Sequence, residues 1–568
     1  MGVGPFACKP PPVTPAIFFH ADGFVLDGPK LMGRQSAGHS FLRAAVRGHA
    51  GRPIHALTPF REQADTFRNL VLQMDPQAQP RWIPAPRLGA VAEQGLLFRA
   101  DGAIVIHARE RLRIGPGRYS ICGVTHTLST HAPAEHAADM VAGPVMPWDA
   151  LICTSTAART FVEGVLAAQE DLLAWRFGQR LVAPRPQLPV IPLGVHCEDF
   201  ATSADERARS RAALALADDE VGVLFAGRLT FNGKAHPFQM FAALERVAQA
   251  TGRKLALVLA GQFPAPQVEE AYRSAMARWA PSIRAILVPG ADAQAFARVW
   301  RAADLFVSLS DNIQETFGIT PVEAMAAGLP VLVSDWDGYK DTVRDGVDGF
   351  RVPTWAPPPG AGGYMALDYE TGANNYDYFL SRTSTTTSVE PRALTGRLTA
   401  LVENADLRRR QGEAGRQRAL AEFDWAVVYG RYQALWEELG EIRARSAEDP
   451  ELRLAAAPRQ APTRLDPFTA FAHYPTRHLG LAARARAAPG ASVAAYEAMT
   501  GHPMFMHWRE SPDVVARTLE ACAGEGLGVA ELAARLGEPA RTVVERLSRL
   551  AKMELVMLEP GAAQGAGG

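Results

Sequence analysis

From Pro15 to about Gly194, short apolar runs rich in β-branched and aromatic residues alternate with stretches of helical periodicity. AIFF from Ala16, PIHAL from Pro53, AIVIH from Ala103, YSICGVTH from Tyr119, DALICTS from Asp149 and PVIPLG from Pro189 each predict a strand. A polar helical stretch, SADERARSRAALAL, interrupts the pattern, and a second series follows: VGVLFAG from Val221, LALVLAG from Leu255, AILVPG from Ala285, DLFVSLS from Asp304, LPVLVSD from Leu329 and GFRVP from Gly349. Strands separated by helices imply βαβ units and parallel sheets, and two series of similar size predict two α/β domains. Residues 355–390 are rich in Pro, Gly, Thr and Tyr and read as a long loop or inserted excursion, whose aromatics either anchor the loop or form an acceptor platform. Helical periodicity returns over 391–445, and 446–467 has the composition of a linker. In the region beyond, 468–560, two short amphipathic helices flank Leu536-Gly537 and precede a β-prone Glu554–Leu558, a spacing that resembles a helix-turn-helix with the start of a wing. The tail 561–568 is low-complexity and is expected to be flexible.

With 568 residues, the chain is too long for one hydrophobic core, and 48% hydrophobic against 21% charged residues excludes general disorder. A formal charge of −1 provides no whole-molecule field for nucleic acid or anionic lipid, so any polyanion site is local. The cysteines at 8, 122, 153, 197 and 522 form no CxxC pair, which argues against a disulfide framework or a zinc ribbon and fits a reducing compartment. The N-terminus lacks the apolar core of an export signal and no run of 18 apolar residues occurs, so the expectation is a cytoplasmic protein without a transmembrane segment.

The most informative run is SDNIQETFGITPVEAMAAGLPVLVSD, from Ser310 to Asp335. After a buried-strand pattern, a polar loop carries Glu315 and Gly318, and Pro321 marks the first helical position. The backbone N–H groups of Gly318, Ile319 and Thr320 then lie at a helix N-terminus, with Glu323 in its first turn. Such an end binds phosphate, and two nearby carboxylates suit a ligand with many hydroxyls, which together describe a sugar phosphate or nucleotide sugar. A second constellation, FAGRLTFNGKAHP from Phe225, follows a predicted strand. It is not a P-loop, because the glycine spacing is one residue too long and Ala235 stands where Ser or Thr would hold magnesium.

The string E-T-F-G-I-T-P-V-E-A-M-A-A-G-L-P-V, with Glu315 and Glu323 eight apart, resembles the E-x7-E signature of family 4 glycosyltransferases. That resemblance implies the GT-B fold, an α/β architecture of two facing Rossmann-like domains: an acceptor-side domain over 1–200 and a donor-binding domain over 201–445. The small, mostly helical, winged-helix-like C-terminal domain is additional to it. By the same resemblance Glu315 contacts the hydroxyls of the transferred sugar and Glu323 holds the nucleotide ribose. Gly318, Ile319 and Thr320 face the donor phosphate, and Arg228 and Lys234 clamp the diphosphate. Gly38, in LMGRQSAGHSFLRAAVRG from Leu31, resembles the family's Gly-containing loop that approaches the donor phosphates, where relatives often have paired glycines and this chain has Ala37-Gly38. His126 matches the histidine that faces the sugar across the cleft, and the turn at Pro289 lies where relatives hold the base.

The implied activity is a retaining hexosyltransferase that uses a nucleotide sugar as co-substrate, needs no cofactor and no metal, and transfers to a glycan, lipid-linked or small-molecule acceptor. Its expected setting is the cytoplasm, with peripheral association at the inner membrane surface as an option. The alternative is a regulatory or binding protein that acts through the C-terminal helix-turn-helix on DNA or on a partner protein. Five basic residues between Glu531 and Glu559 balance five acidic ones, whereas Arg541, Arg546, Arg549 and Lys552 outnumber Glu545 on the second helix.

Overall fold

The computed structural model describes residues 13–26, 33–49 and 51–561. They divide into two compact units, 1–462 and 463–568. The first unit contains two six-stranded parallel sheets with helices between the strands.

The first sheet is built from β1 (Ala16–Phe18), β2 (Pro53–Thr58), β3 (Gln79–Pro84), β4 (Leu96–Arg99), β5 (Ser120–Val124) and β6 (Ala150–Ile152), in the order 3-2-1-4-5-6. The second contains β7 (Glu220–Ala226), β8 (Lys254–Gly261), β9 (Arg284–Pro289), β10 (Leu305–Ser308), β11 (Val331–Ser334) and β12 (Gly349–Val352), in the order 9-8-7-10-11-12. Counted from its own first strand, that is the same topology. Strand order reverses between β1 and β4 and between β7 and β10, and ligands of such sheets bind outside the carboxyl ends of the strands at that point.

All six strands expected in the second series form, because runs such as Glu220–Ala226 are buried on both faces. The first series differs in two places. AIVIH is not a strand: Ile104–Arg111 is a helix, started by Asp101 Oδ1 accepting from the Ala103 N–H at 2.9 Å. Its buried positions, 104, 105, 107, 108 and 111, follow the helical period. Arg111 ends the helix as a fully buried ion pair with Asp149, Nη1 to Oδ1 at 2.6 Å. PVIPLG makes no continuous strand either; Pro189 and Pro192 have no N–H to donate, and Val190 forms only an isolated bridge with Cys153. In exchange, the sheet contains β3 and β4.

The excursion 355–390 is ordered rather than a plain loop. A two-stranded ribbon, β13 (Thr354–Trp355) with β14 (Ser388–Val389), brackets the helices Gly363–Glu370 and Tyr376–Thr385. The helix Trp425–Arg445 packs into the core of the first sheet, where Trp425, Tyr432 and Trp436 meet Phe41 and Phe98. Cys122, Cys153, Cys197 and Cys522 are free and buried, and Cys8 lies outside the described residues. Among the described residues no helix is long and apolar enough to cross a membrane.

The second unit has its own core, formed by Ala485, Tyr496, Val515, Leu519, Leu532, Val543, Leu547 and Val556 among others. Its antiparallel sheet places β15 (Arg484–Ala487) between β16 (Leu527–Gly528) and β17 (Val556–Glu559). The helices Val529–Leu536 and Ala540–Lys552 join through Gly537, left-handed at φ 67° as the first helix's cap. The expected flexible tail falls, except for Gly561, outside the described residues.

Candidate donor site at the carboxyl ends of the second sheet

Three loops follow β7, β10 and β11 and converge beside the strand-order reversal. The first, Gly227–Lys234, sends Lys234 into a part-buried ion pair with Glu315 of the second. The other oxygen of Glu315 accepts the Gly318 N–H at 3.0 Å, and the backbone oxygen of Lys234 accepts from Asn312 Nδ2 at 2.8 Å. Arg228 reaches across the same two loops, donating to the Gly233 carbonyl at 2.9 Å and to Gln314 Oε1 at 2.8 Å. Two loops from distant parts of the chain are thereby fastened by charge-assisted bonds.

The helix Ile319–Ala326 begins two residues before Pro321, with Gly318 as its cap at φ 78°. A side chain there would collide with the ring of Tyr339, 1.9 Å from where its Cβ would stand. Tyr339 is held by Ser308, Oη to Oγ at 2.8 Å. The first-turn amides, including Ile319 and Thr320, have no intrahelical acceptor, and Thr320 Oγ1 is buried with no protein partner.

Burial sets the protonation of the carboxyls. Glu323 is pushed up to about 7, with Lys234 opposing the shift. Glu315 is desolvated as well, yet it falls below the ordinary carboxylate range because Lys234 and two backbone N–H groups hold its charge. Asp311 rises to about 6 through burial, while it accepts from the His236 N–H at 3.0 Å and Ser384 Oγ at 2.8 Å.

The remaining expected site residues are placed as follows. Pro289 is exposed at the end of β9, in register with Gly261 of β8. Two residues past β5, His126 donates its Nε2–H to the Ala100 carbonyl at 2.8 Å, which leaves Nδ1 as its acceptor nitrogen. Burial lowers its pKa, so the ring is neutral at pH 7. Gly38 does not lie in a loop. It is the sixth residue of the helix Gly33–His49, pressed so close to the Gly23 carbonyl that a Cβ would stand 2.0 Å from that oxygen. Its requirement for glycine comes from helix packing. Leu31 and Met32, at the start of the same stretch, lie outside the described residues.

The structure adds groups that carry no motif signal. The excursion spans both sheets of the first unit. On the donor side Ser384 is fixed to Asp311, and the Asp377 carbonyl accepts from Asn232 Nδ2 at 3.1 Å. On the other side the Tyr376 hydroxyl meets Ser129 Oγ at 2.8 Å, and the Tyr369 ring stacks on His131 at 4.0 Å and on Phe379 at 4.9 Å. The aromatics thus anchor the excursion beside the loop that carries His126. Two more bonds cross from the first sheet's loops, Ser155 Oγ to the Thr316 carbonyl at 2.6 Å and the Thr156 N–H to Asp341 Oδ2 at 2.5 Å. In the second unit, Arg546 is turned inward onto Glu538, and Arg549 pairs with Glu545. Two of the four cations counted along that helix are therefore paired, and Arg541 and Lys552 are the exposed ones.

Residues 206–356, which span this site, match the family of Glycosyl transferases group 1. The chain is 33% identical over 186 residues to a D-inositol 3-phosphate glycosyltransferase of Nocardia farcinica, a match that covers 32% of this chain and 40% of that protein. It is 27% identical over 353 residues to a phosphatidyl-myo-inositol mannosyltransferase of Mycobacterium tuberculosis, covering 59% of this chain and 81% of that one. Among solved structures, a glycosyltransferase from Rickettsia africae aligns with a TM-score of 0.50 at 12% identity, over 75% of this chain and 98% of that one. Residues 206–356 thus form a glycosyl transferases group 1 domain within a unit of two parallel sheets of Rossmann order, and the chain is a transferase.

Proposed function

We propose that the chain transfers a sugar from a nucleotide-sugar donor to an acceptor hydroxyl with retention of configuration. The observation that carries this reading is the part-buried Lys234–Glu315 pair, set with Arg228 beside the N-terminus of the helix Ile319–Ala326. As the glycosidic bond breaks, the leaving diphosphate gains negative charge. Lys234, Arg228 and the free amides of Ile319 and Thr320 are oriented before that charge appears, so they stabilise it without reorganising. Glu315, already bonded to Lys234 and Gly318, offers its remaining lone pairs to sugar hydroxyls. Glu323, protonated or ionised near neutrality, suits the ribose. The neutral His126 presents an acceptor nitrogen from the opposite loops. The departing phosphate oxygen takes the acceptor's proton in a front-face attack.

Fixed cations do here what a divalent metal does in other transferases, so product formation is expected to survive excess EDTA. Loss of activity that manganese restores would count against this mechanism. Both relatives are named for inositol-bearing substrates, which makes an inositol-type polyol the first acceptor to test. The direct experiment is a thermal-shift screen with nucleoside diphosphates and nucleotide sugars, followed by transfer assays. A saturable rise in Tm with one nucleotide series is expected, because a ligand of the folded state raises apparent stability.

A further inference from the structure

The loop after β11 reads Ser-Asp-Trp-Asp-Gly, and its fourth residue, Asp337, has no role in the reading above. Its backbone is left-handed, at φ 49°. Only Ala215, Arg453 and Glu554 share positive φ with it among the described non-glycine residues, and none of those three belongs to the donor site. Side chains are disfavoured in this region, and asparagine and aspartate are tolerated there better than most. Glycine would hold the same turn without the penalty, so the side chain is retained against the backbone's own preference. Residues held in this way cluster at ligand sites.

The position of the loop says which ligand. Gly338 presses on the loop that carries Glu315: a Cβ on Gly338 would stand 2.6 Å from both the Thr316 carbonyl oxygen and Phe317 Cα. Asp337 therefore lies against the Glu315 loop. Its Oδ2 is buried and no protein group hydrogen-bonds it. A buried oxygen left unpaired costs stability, so a second function for it requires a partner that is not part of the protein.

We infer that Asp337 recognises the sugar half of the donor, hydrogen-bonding a hydroxyl of the transferred hexose next to Glu315. The inference rests on the nucleotide-sugar reading and adds a specificity-determining residue to it. Asp337 lies against the loop of Glu315, the residue given the sugar hydroxyls in the proposed function, so the sugar rather than the diphosphate is the half of the donor beside it. A neutral polyhydroxyl ring is the part of the donor that gains from both carboxyls. Burial, then the neighbouring Glu315 and Asp341, raises the Asp337 carboxyl to about 8, so at neutral pH it can donate a hydrogen bond as well as accept one.

The test is titration calorimetry on the full chain, the Asp337→Asn and Asp337→Gly variants, and three probe pairs: UDP with UDP-glucose, UDP with UDP-N-acetylglucosamine, and GDP with GDP-mannose. For the pair the wild type prefers, Asp337→Gly should bind the free nucleoside diphosphate within about twofold of wild type. It should bind the nucleotide sugar at least about tenfold more weakly, the equivalent of one lost hydrogen bond from a desolvated site. Asp337→Asn, which keeps one donor and one acceptor, should fall between the two. Asp337→Gly should also melt about 1–3 °C higher, since it relieves both the left-handed backbone and the unpaired oxygen. If wild type binds these probes and both variants bind the nucleotide sugar as wild type does, the role assigned to Asp337 is wrong while the donor reading stands. If wild type binds none of them, the donor reading fails and takes this inference with it.

Discussion

The two sheets of the first unit share one strand order, yet they present different chemistry at their carboxyl ends. Beyond the second sheet lie a part-buried cation, a bonded guanidinium and carboxyls raised to between about 6 and 8. Beyond the first, the corresponding loops carry the neutral His126, hydrogen-bonded to a backbone carbonyl, and the hydroxyls of Ser129 and Ser155 that reach across to the other half. Topology decides where a ligand can sit, and the side chains on the loops decide which half holds charge. In the proposed reaction the second sheet binds the part of the substrate whose charge changes, and the first closes over it and guides the acceptor.

The comparison can be broken most sharply at Lys234. Lys234→Ala should lower kcat by ~10²-fold or more, as removal of an oriented charge donor does, whereas His126→Ala on the first sheet should cost less. Equal losses, or a Lys234 effect confined to KM, would remove the division of labour, provided circular dichroism shows both variants folded.

Next in size, Glu323→Gln should raise the donor KM by roughly tenfold with kcat nearly unchanged, because the ribose it holds barely changes during reaction. A loss in kcat alone would move Glu323 from binding into the chemical step.

The raised carboxyls give a smaller and purely thermodynamic signature. Glu323, Asp311 and Asp337 bind protons in the folded state at pH values where the unfolded chain has released them. Their contribution to the pH slope of the Tm is therefore negative between about pH 5 and about pH 8, opposite in sign to that of desolvated histidines such as His49 and His126, whose pKa values are lowered. Glu323→Gln and Asp337→Asn should each make the measured slope less negative, and a slope unchanged in both would show that these carboxyls are ordinary.

The smallest effect is expected where the halves meet. Tyr376→Phe deletes one bond, to Ser129, and should reduce kcat/KM by about threefold without lowering the Tm by more than 1–2 °C.

The two halves also differed in how much of them the sequence disclosed. The second-sheet strands were legible because runs such as VGVLFA are buried on both faces and bounded by glycine or aspartate. In the first sheet, β3 is an edge strand with a mostly exposed QPRWIP, and β4 is four residues long, so neither stands out from its surroundings. AIVIH misled because four consecutive apolar residues fit either period, and only the packing of Ile104, Val105 and Ala108 on one face decides it. At the site, the residues expected from the E-T-F-G-I-T-P-V-E string and the G-R-L…K segment converge. Gly38 proved to be a packing position. Gln314, Asp311 and the Ser129–Tyr376 pair carried no local signal, since each acquires meaning only from a partner more than 70 residues away. Asp337 left a faint one, an aspartate before glycine in a tight loop.

The helix Trp425–Arg445 imposes an order on biosynthesis. Trp425 donates to Ser40, 385 positions earlier, and the aromatic cluster under the first sheet remains open until that helix arrives. On a ribosome the N-terminal half emerges first yet cannot finish, while the second sheet, whose strands span Glu220 to Val352, can close on its own residues in the meantime. Nascent chains released before about residue 445 should carry exposed Phe41 and Phe98 and depend on chaperones. Of the two halves of the first unit, the one made first is the last to become stable.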